Sequence, residues 1–235
     1  MASEHEVGVS EIATALGMNK ATTYRILSTL RALGYVVQND TSDQYRLTLR
    51  LFEVGSKVLS RMDTIREARP VMERLAANTG ETVHLAIRDS VSIVYVDKID
   101  SEHILRMFSR VGNRAPVWCT GLGKALLSDM TDSELRDLLE DRELTSFTEN
   151  TITDLELLRK DLQETRRRGF SIDNQEHELG IHCVASVLRD ANEHGVASIS
   201  VSWPETRNGP NTTHEYGELI VEAAKEASRR IGWSS

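Results

Sequence analysis

Apolar positions at the start of the chain fall three and four apart. Val9, Ile12, Ala13 and Leu16 share one face of a short helix opened by Ser10, which Gly17-Met18-Asn19 interrupts. Asn19 is a suitable N-cap for a second helix over about 20–33. Its inward stripe is Thr23, Ile26, Leu27, Leu30 and Leu33, and Gly34 ends it as a left-handed stop. A strand at 35–38, a polar turn and a strand at 44–48 follow. Helix, tight turn, helix, hairpin is the order of a winged helix-turn-helix.

Helical spacing returns at Leu51, Phe52, Val54, Val58 and Leu59, predicting a linker helix over 49–62. A further helix over 64–78 carries Ile65, Ala68, Met72, Leu75 and Ala76 inward, with Pro70 as a kink or a later start. The period then drops to two. Strands are expected at 81–88, 91–99 and 103–108, with Val83, Leu85 and Ile87 on one face of the first. A loop and short helix occupy 116–130, and helices 132–140 and 154–168. Strands at 170–174, 182–189 and 196–203 and a last helix over 212–231 complete the chain. Strand runs without strict βαβ alternation point to an α+β fold with an antiparallel sheet. The expected domains are 1–48 for the winged head, 49–63 for the linker helix and 64–235 for the body.

Composition narrows the class. The chain has 235 residues, 40% hydrophobic and 27% charged, with two cysteines. That size buries a core without a disulfide framework. No stretch is apolar enough for a membrane span, and the N-terminus lacks the basic start and apolar run of a secretory signal. A cytoplasmic protein is expected. The net charge of −8 argues against a nucleic-acid partner until it is divided. Residues 1–62 hold seven basic and six acidic side chains, and residues 63–235 hold 21 and 30. A slightly basic head on an acidic body fits a DNA-binding module attached to one that binds something else.

The second helix presents Thr22, Arg25 and Thr29 outward, flanked by Lys20, Ala21, Tyr24 and Ser28. Short polar groups near a helix start suit phosphates and base edges, and Arg25 suits guanine or phosphate. Arg46 on the wing adds a backbone contact. An ordinary solvated face is the alternative. In Thr120-Gly-Leu-Gly-Lys, Thr120 can cap a helix whose first turn contains Gly121 and Gly123. Exposed N–H groups at a helix start form an anion site, and close helix–sheet packing explains the glycines equally well. Ser198, Ser200 and Ser202 share one strand face, which the residues alone assign to solvent. The six carboxylates of 132–143 read as a solvated helix face. Asp173, His182 and Cys183 invite a metal or a Cys–His hydrolase. However, paired CxxC or HxxxH spacing is missing, and adjacent strand residues point to opposite faces. Neither a catalytic set nor a metal set is expected.

The head 9–48, Leu51-Phe-Glu-Val-Gly, Glu81-Thr-Val-His-Leu-Ala-Ile, Thr120-Gly-Leu-Gly-Lys-Ala-Leu-Leu and Gly180-Ile-His-Cys-Val-Ala resemble the IclR-type (isocitrate-lyase regulator) bacterial transcription factors. The resemblance covers nearly the whole chain. It implies a winged helix-turn-helix, a linker helix and a GAF-like effector domain with an antiparallel sheet flanked by helices. It further implies a homodimer or homotetramer on a double-stranded DNA operator, acting as a ligand-responsive regulator rather than an enzyme. Val94-Tyr-Val-Asp-Lys and Leu105-Arg-Met-Phe-Ser resemble the subgroup governing pectin and sugar-acid catabolism, whose effector is 2-keto-3-deoxygluconate. Carried onto this sequence, the effector positions are Thr120, Gly121, Leu122, Asp173, Cys183, Ser200 and Ser202. The serine strand thereby moves from solvent to pocket, and the ligand is expected to be a small carboxylate with no cofactor. The family's first head helix has no counterpart in the eight residues before Val9, so either the start is misplaced or truncated or the head is less stable than usual. The alternative from another class is a small-molecule sensor or enzyme without DNA-binding activity.

Overall fold

The computed structural model describes residues 6–59, 63–101, 103 and 109–234, with only the backbone for 56–59. The chain divides into two units, 1–62 and 63–235.

In the first unit, helices α1 (Val9–Ala15) and α2 (Lys20–Ala32) precede the antiparallel pair β1 (Val36–Gln38) and β2 (Tyr45–Leu47). Asn19 caps α2 by accepting the Thr22 N–H at 2.8 Å, and Gly34 adopts φ 78° after it. Helix α3 (Leu49–Leu59) follows the wing. Leu27, Val36 and Tyr45 form the small core, with Val9, Ile12 and Leu30 packed against it. The stripe is narrower than its spacing suggests: Ile26 and Leu33 are 45% and 51% exposed, and Leu16 is also exposed. Three core residues cover only the arc through Thr23, Leu27 and Leu30. Ser10 does not cap α1. Gly8 takes that position, and the Ser10 carbonyl accepts the Thr14 hydroxyl inside the helix. Val7 pairs with Tyr45 through both backbone hydrogen bonds, widening the wing. Glu6 accepts from Asn39 and Ser42 and so ties down the turn between β1 and β2.

The second unit is built on a six-stranded antiparallel sheet of order β5-β4-β3-β8-β7-β6. Its strands are β3 (Thr82–Asp89), β4 (Ser92–Ile99), β5 (Arg114–Pro116), β6 (Ser171–Asn174), β7 (Ile181–Arg189) and β8 (Gly195–Pro204). Helices α4 (Asp63–Thr79) and α8 (Thr212–Arg230) cover one face, packing on Val83, Leu85, Ile199, Val201 and Trp203. Helices α5 (Gly121–Ser128), α6 (Asp132–Leu139) and α7 (Leu155–Arg168) cover the other, packing on Ala86, Ile93, Ala185 and Val187. With helices on both faces, strands that read as half-solvated are buried on both sides. Pro70 lies inside α4 without ending it. The three-residue β5 was not anticipated. The strand expected over 103–108 lies outside the described residues apart from His103, which is not in a strand. Among the described residues, no helix is long and apolar enough to cross a membrane.

All three tryptophans lie in the second unit, so their fluorescence reports on it alone. Leu27→Ala should cost the head about 2–5 kcal/mol. In urea titrations of the full chain, far-ultraviolet circular dichroism should show an earlier head transition while the tryptophan transition stays in place. A shifted tryptophan transition would show that Leu27 does not act within the head alone.

Candidate effector pocket and DNA-facing helix

The second unit encloses a cavity of about 210 Å³ between the start of α5 and the sheet. Thr120, Gly121, Leu122, Asp173, Cys183, Ser200 and Ser202 all line it. Strand register explains the convergence. Asp173 on β6 lies opposite Cys183 on β7, and Cys183 opposite Ser202 on β8. Two residues along β8, Ser200 lies opposite His84 on β3. The serine face is therefore interior, contrary to the solvent assignment made from the residues alone. Ser198 donates to the Leu122 carbonyl at 3.0 Å, whereas the buried Ser200 Oγ has no hydrogen-bond partner.

Thr120 caps α5 as expected. Its hydroxyl accepts the Gly123 N–H and donates to the Pro116 carbonyl, and its own carbonyl accepts the Lys124 N–H. The N–H groups of Gly121 and Leu122 belong to the first turn, where no intrahelical acceptor exists. Both glycines also serve packing. A Cβ on Gly123 would lie 2.4 Å from the Val117 backbone, and one on Gly121 would lie 2.8 Å from Cys183 Sγ. A Gly121→Val change would therefore disturb the sheet contact as well as the cavity, so it does not isolate the anion site.

Behind the cavity, Lys124 is 1% exposed. Its ammonium lies 2.5 Å from Glu176 and 3.0 Å from Asp161 on α7. Burial alone would lower its pKa, but the two carboxylates outweigh this and raise it. Glu176 belongs to the turn between β6 and β7, whose carbonyls also accept from Thr148 and Thr151. The Glu176 N–H donates to the Asp173 carboxylate at 2.8 Å. Burial first, and then the neighbouring Glu176 charge, push the Asp173 carboxyl up to about 7.

The other polar groups of the lining are mostly neutral. Burial pushes the Cys183 thiol up to about 12 and raises the Tyr95 phenol. It lowers the His177 imidazole and takes that of His84 down to about 3, helped by Lys98. A thiol so protonated is not a nucleophile at neutral pH. His182, next to Cys183, points away, stacking on Trp203 and pairing with Glu205. Arg114 and Glu178 are exposed members of the lining. His84, Tyr95, Ser109, Asn113, Arg114, His177 and Glu178 were not anticipated. For His84, a polar residue breaking an apolar strand was the available signal.

On the head, Lys20, Ala21, Thr22, Tyr24, Arg25 and Thr29 are exposed on α2, and Ser28 is half-buried. The Thr29 hydroxyl donates to the Arg25 carbonyl, leaving the guanidinium on the surface. Arg46 is exposed on β2, 4.0 Å from Glu6.

Comparison with known proteins agrees with this geometry. Residues 1–40 match the model of the IclR helix-turn-helix domain, and residues 56–229 that of the bacterial transcriptional regulator IclR C-terminal domain. The chain is 40% identical to the HTH-type transcriptional regulator KdgR of Escherichia coli strain K12, covering 99% of this chain and 89% of that protein. It is 35% identical to the HTH-type transcriptional repressor AllR of Salmonella paratyphi A, covering 95% and 82%. Among solved structures, the Thermotoga maritima IclR superposes with a TM-score of 0.78 at 34% identity, over 98% of this chain and 93% of that one. The C-terminal domain of E. coli KdgR superposes at 0.67 with 36% identity, over 73% and 100%.

Asp173 carries a pH signature. With a pKa of about 7 in the folded state against a usual 3.8, it holds a proton that the unfolded chain releases. The stability it contributes is complete below about 3.8 and is lost as pH rises through about 7. Asp173→Asn keeps an acceptor for the Glu176 N–H and removes the titration. The urea midpoint of the variant, relative to the parent, should therefore rise between pH 5 and pH 8. A difference independent of pH would contradict the assignment.

Proposed function

The chain belongs to the IclR family of bacterial transcriptional regulators, and on that footing we propose that it represses a sugar-acid or related carboxylate catabolic operon and is relieved by its acid. One observation carries the reading. Residues from α5, β6, β7 and β8 converge on one cavity whose deeper wall offers neutral donors and the unpartnered Ser200 Oγ. An anion needs donors more than it needs a counter-charge. The helix start contributes about 0.3–2 kcal/mol toward a carboxylate. Each hydrogen bond to the charged group adds about 1.5–3 kcal/mol before losses. Micromolar affinity, about −8 kcal/mol, is within reach without a metal.

In this reading the carboxylate rests on the N–H groups of Gly121 and Leu122, with Thr120 shaping the turn. Asp173, Cys183, Ser200 and Ser202 bond the rest of the ligand, for which 2-keto-3-deoxygluconate is the favoured candidate. The name KdgR of a relative and the subgroup resemblance support that choice. Lys20, Ala21, Thr22, Tyr24, Arg25, Ser28 and Thr29 form the major-groove face, with Arg46 of the wing on the DNA backbone. A homodimer or homotetramer in the cytoplasm would read a near-palindromic operator. Coupling requires only that the acid bind the DNA-competent and DNA-free states with different affinity. The enzyme alternative finds no support. The relatives are transcriptional regulators, and the one thiol lining the cavity is held protonated.

Calorimetry of the full chain with a sugar-acid panel tests the ligand. The parent should bind an anionic acid at micromolar levels, and Ser200→Ala should lose about 1 kcal/mol, roughly fivefold, with its melting temperature kept. Binding of neutral or cationic compounds alone would remove the anion site. On the DNA side, Arg25→Ala should weaken operator binding by about 1–3 kcal/mol in gel shifts across a salt series. Its unfolding curve should be unchanged, because Arg25 lies outside the core. Operator affinity equal to the parent's would sink the assignment of α2 as the reading helix.

A further inference from the structure

A second residue of the cavity lining also carries an unpartnered polar atom. His84 lies directly opposite Ser200 across the β3–β8 pair and is 2% exposed. Its Nε2 is 2.6 Å from Ser109 Oγ, while its Nδ1 is buried without a hydrogen-bond partner. The Tyr95 ring packs against the imidazole at 5.1 Å between centroids. The Lys98 ammonium donates to the Ser109 carbonyl at 2.9 Å, so the residue that holds Nε2 is itself held. Such a ring is fixed in place with one nitrogen engaged and the other left over.

We propose that His84 is a specificity-determining residue of the pocket, its Nδ1 forming a hydrogen bond with a hydroxyl on the carbon chain of the bound acid. The inference rests on the carboxylate-binding reading of the same cavity and adds what the ligand carries beyond its acid group.

A buried polar atom without a partner bears its full desolvation cost until something pairs with it, and because His84 lines the cavity, a small adjustment of its side chain brings Nδ1 to a ligand seated there. The partner is a hydroxyl rather than a second carboxylate. Burial and Lys98 hold the imidazole neutral, so it supplies no counter-charge for another anion. Ser109 Oγ can donate or accept at Nε2, so the tautomer can follow the ligand, and a hydroxyl can donate or accept in turn. Gly121 packs on Cys183 of β7, and His84 lies on β3, two strands further across the sheet. Two strand spacings are about 10 Å. An acid anchored at the α5 start therefore meets His84 with the far part of its chain. A three-carbon acid has no hydroxyl to place there, whereas a six-carbon hydroxylated acid does.

Calorimetry with two probes, 2-keto-3-deoxygluconate and pyruvate, tests this on the full chain. The parent should bind the hydroxylated acid more tightly. His84→Phe should weaken that acid about tenfold or more and leave the pyruvate affinity within about twofold. Two polar variants locate the nitrogen and guard against a Phe variant that fails to fold. His84→Asn places its amide near the Nδ1 position and should retain most of the preference. His84→Gln reaches toward Nε2 and should not. Equal loss for both acids, no loss for either, or a Gln variant better than Asn would each overturn the role of Nδ1. A parent that binds neither acid would instead overturn the carboxylate reading on which the proposal stands.

Discussion

The ammonium of Lys124 is the point on which the effector domain turns. It is buried on a helix of eight residues, and removing one partner from a buried ion pair typically costs about 3–5 kcal/mol. Its two carboxylate partners come from α7 and from the turn between β6 and β7. One charge thus joins three elements, adding to the apolar packing that α5 shares with α7 and to the Ser171–Gly121 hydrogen bond that ties α5 to β6. It also fixes what those elements offer the cavity. Arg168 approaches Asp161 from α7 at 3.6 Å, so each carboxylate of the cluster has a cation, and Glu176 is the largest charged influence raising the Asp173 carboxyl. The Glu176 N–H then orients the same Asp173 carboxyl. From α7 to the cavity wall the contacts run Asp161, Lys124, Glu176, Asp173.

This arrangement is compatible with an acidic body holding the proposed anion. A net charge of −9 over residues 63–235 describes the surface more than the interior. Inside, Asp173 is about half protonated at neutral pH, Cys183 and Tyr95 keep their protons, and the imidazoles of His84 and His177 carry no extra one. The carboxylates Asp161 and Glu176 are paired with Lys124, and Glu178, an acidic member of the lining, is exposed. The cavity lining includes a helix start and the hydroxyl-bearing residues Ser200 and Ser202.

Much of this was legible in the sequence because it rests on local rules. The cap at Asn19, the stop at Gly34, the capped helix at Thr120 and the alternating serines of β8 each follow from short-range geometry. The side of the sheet on which the serines lie did not follow, since period two says that residues share a face and not what covers it. Helices on both faces decided that, and only the family resemblance anticipated it. The Lys124 triad joins positions 124, 161 and 176, and no spacing rule links them. His84 was quoted as part of a strand and passed over, because its neighbour across the sheet is more than a hundred residues away in the chain. The exposed Ile26 and Leu33 mark the opposite failure, where periodicity promised more core than a three-residue cluster supplies.

The pairing of β3 with β8 also sets an order of events during synthesis. Thr82 pairs with Ser202, so the middle of the sheet waits for the last strand to leave the ribosome. Pairings this distant in the chain are slow to close, and the strands made first present open edges meanwhile. The head has no such delay, because its hairpin closes within about ten residues. A nascent chain therefore carries a finished DNA-binding module well before it has a ligand cavity, whose His84 wall is made early and whose Ser200 wall is made late. A chain cut short after β7 would keep the head and the first hairpin of the sheet but lose the β8 serines of the cavity lining, Ser200 and Ser202.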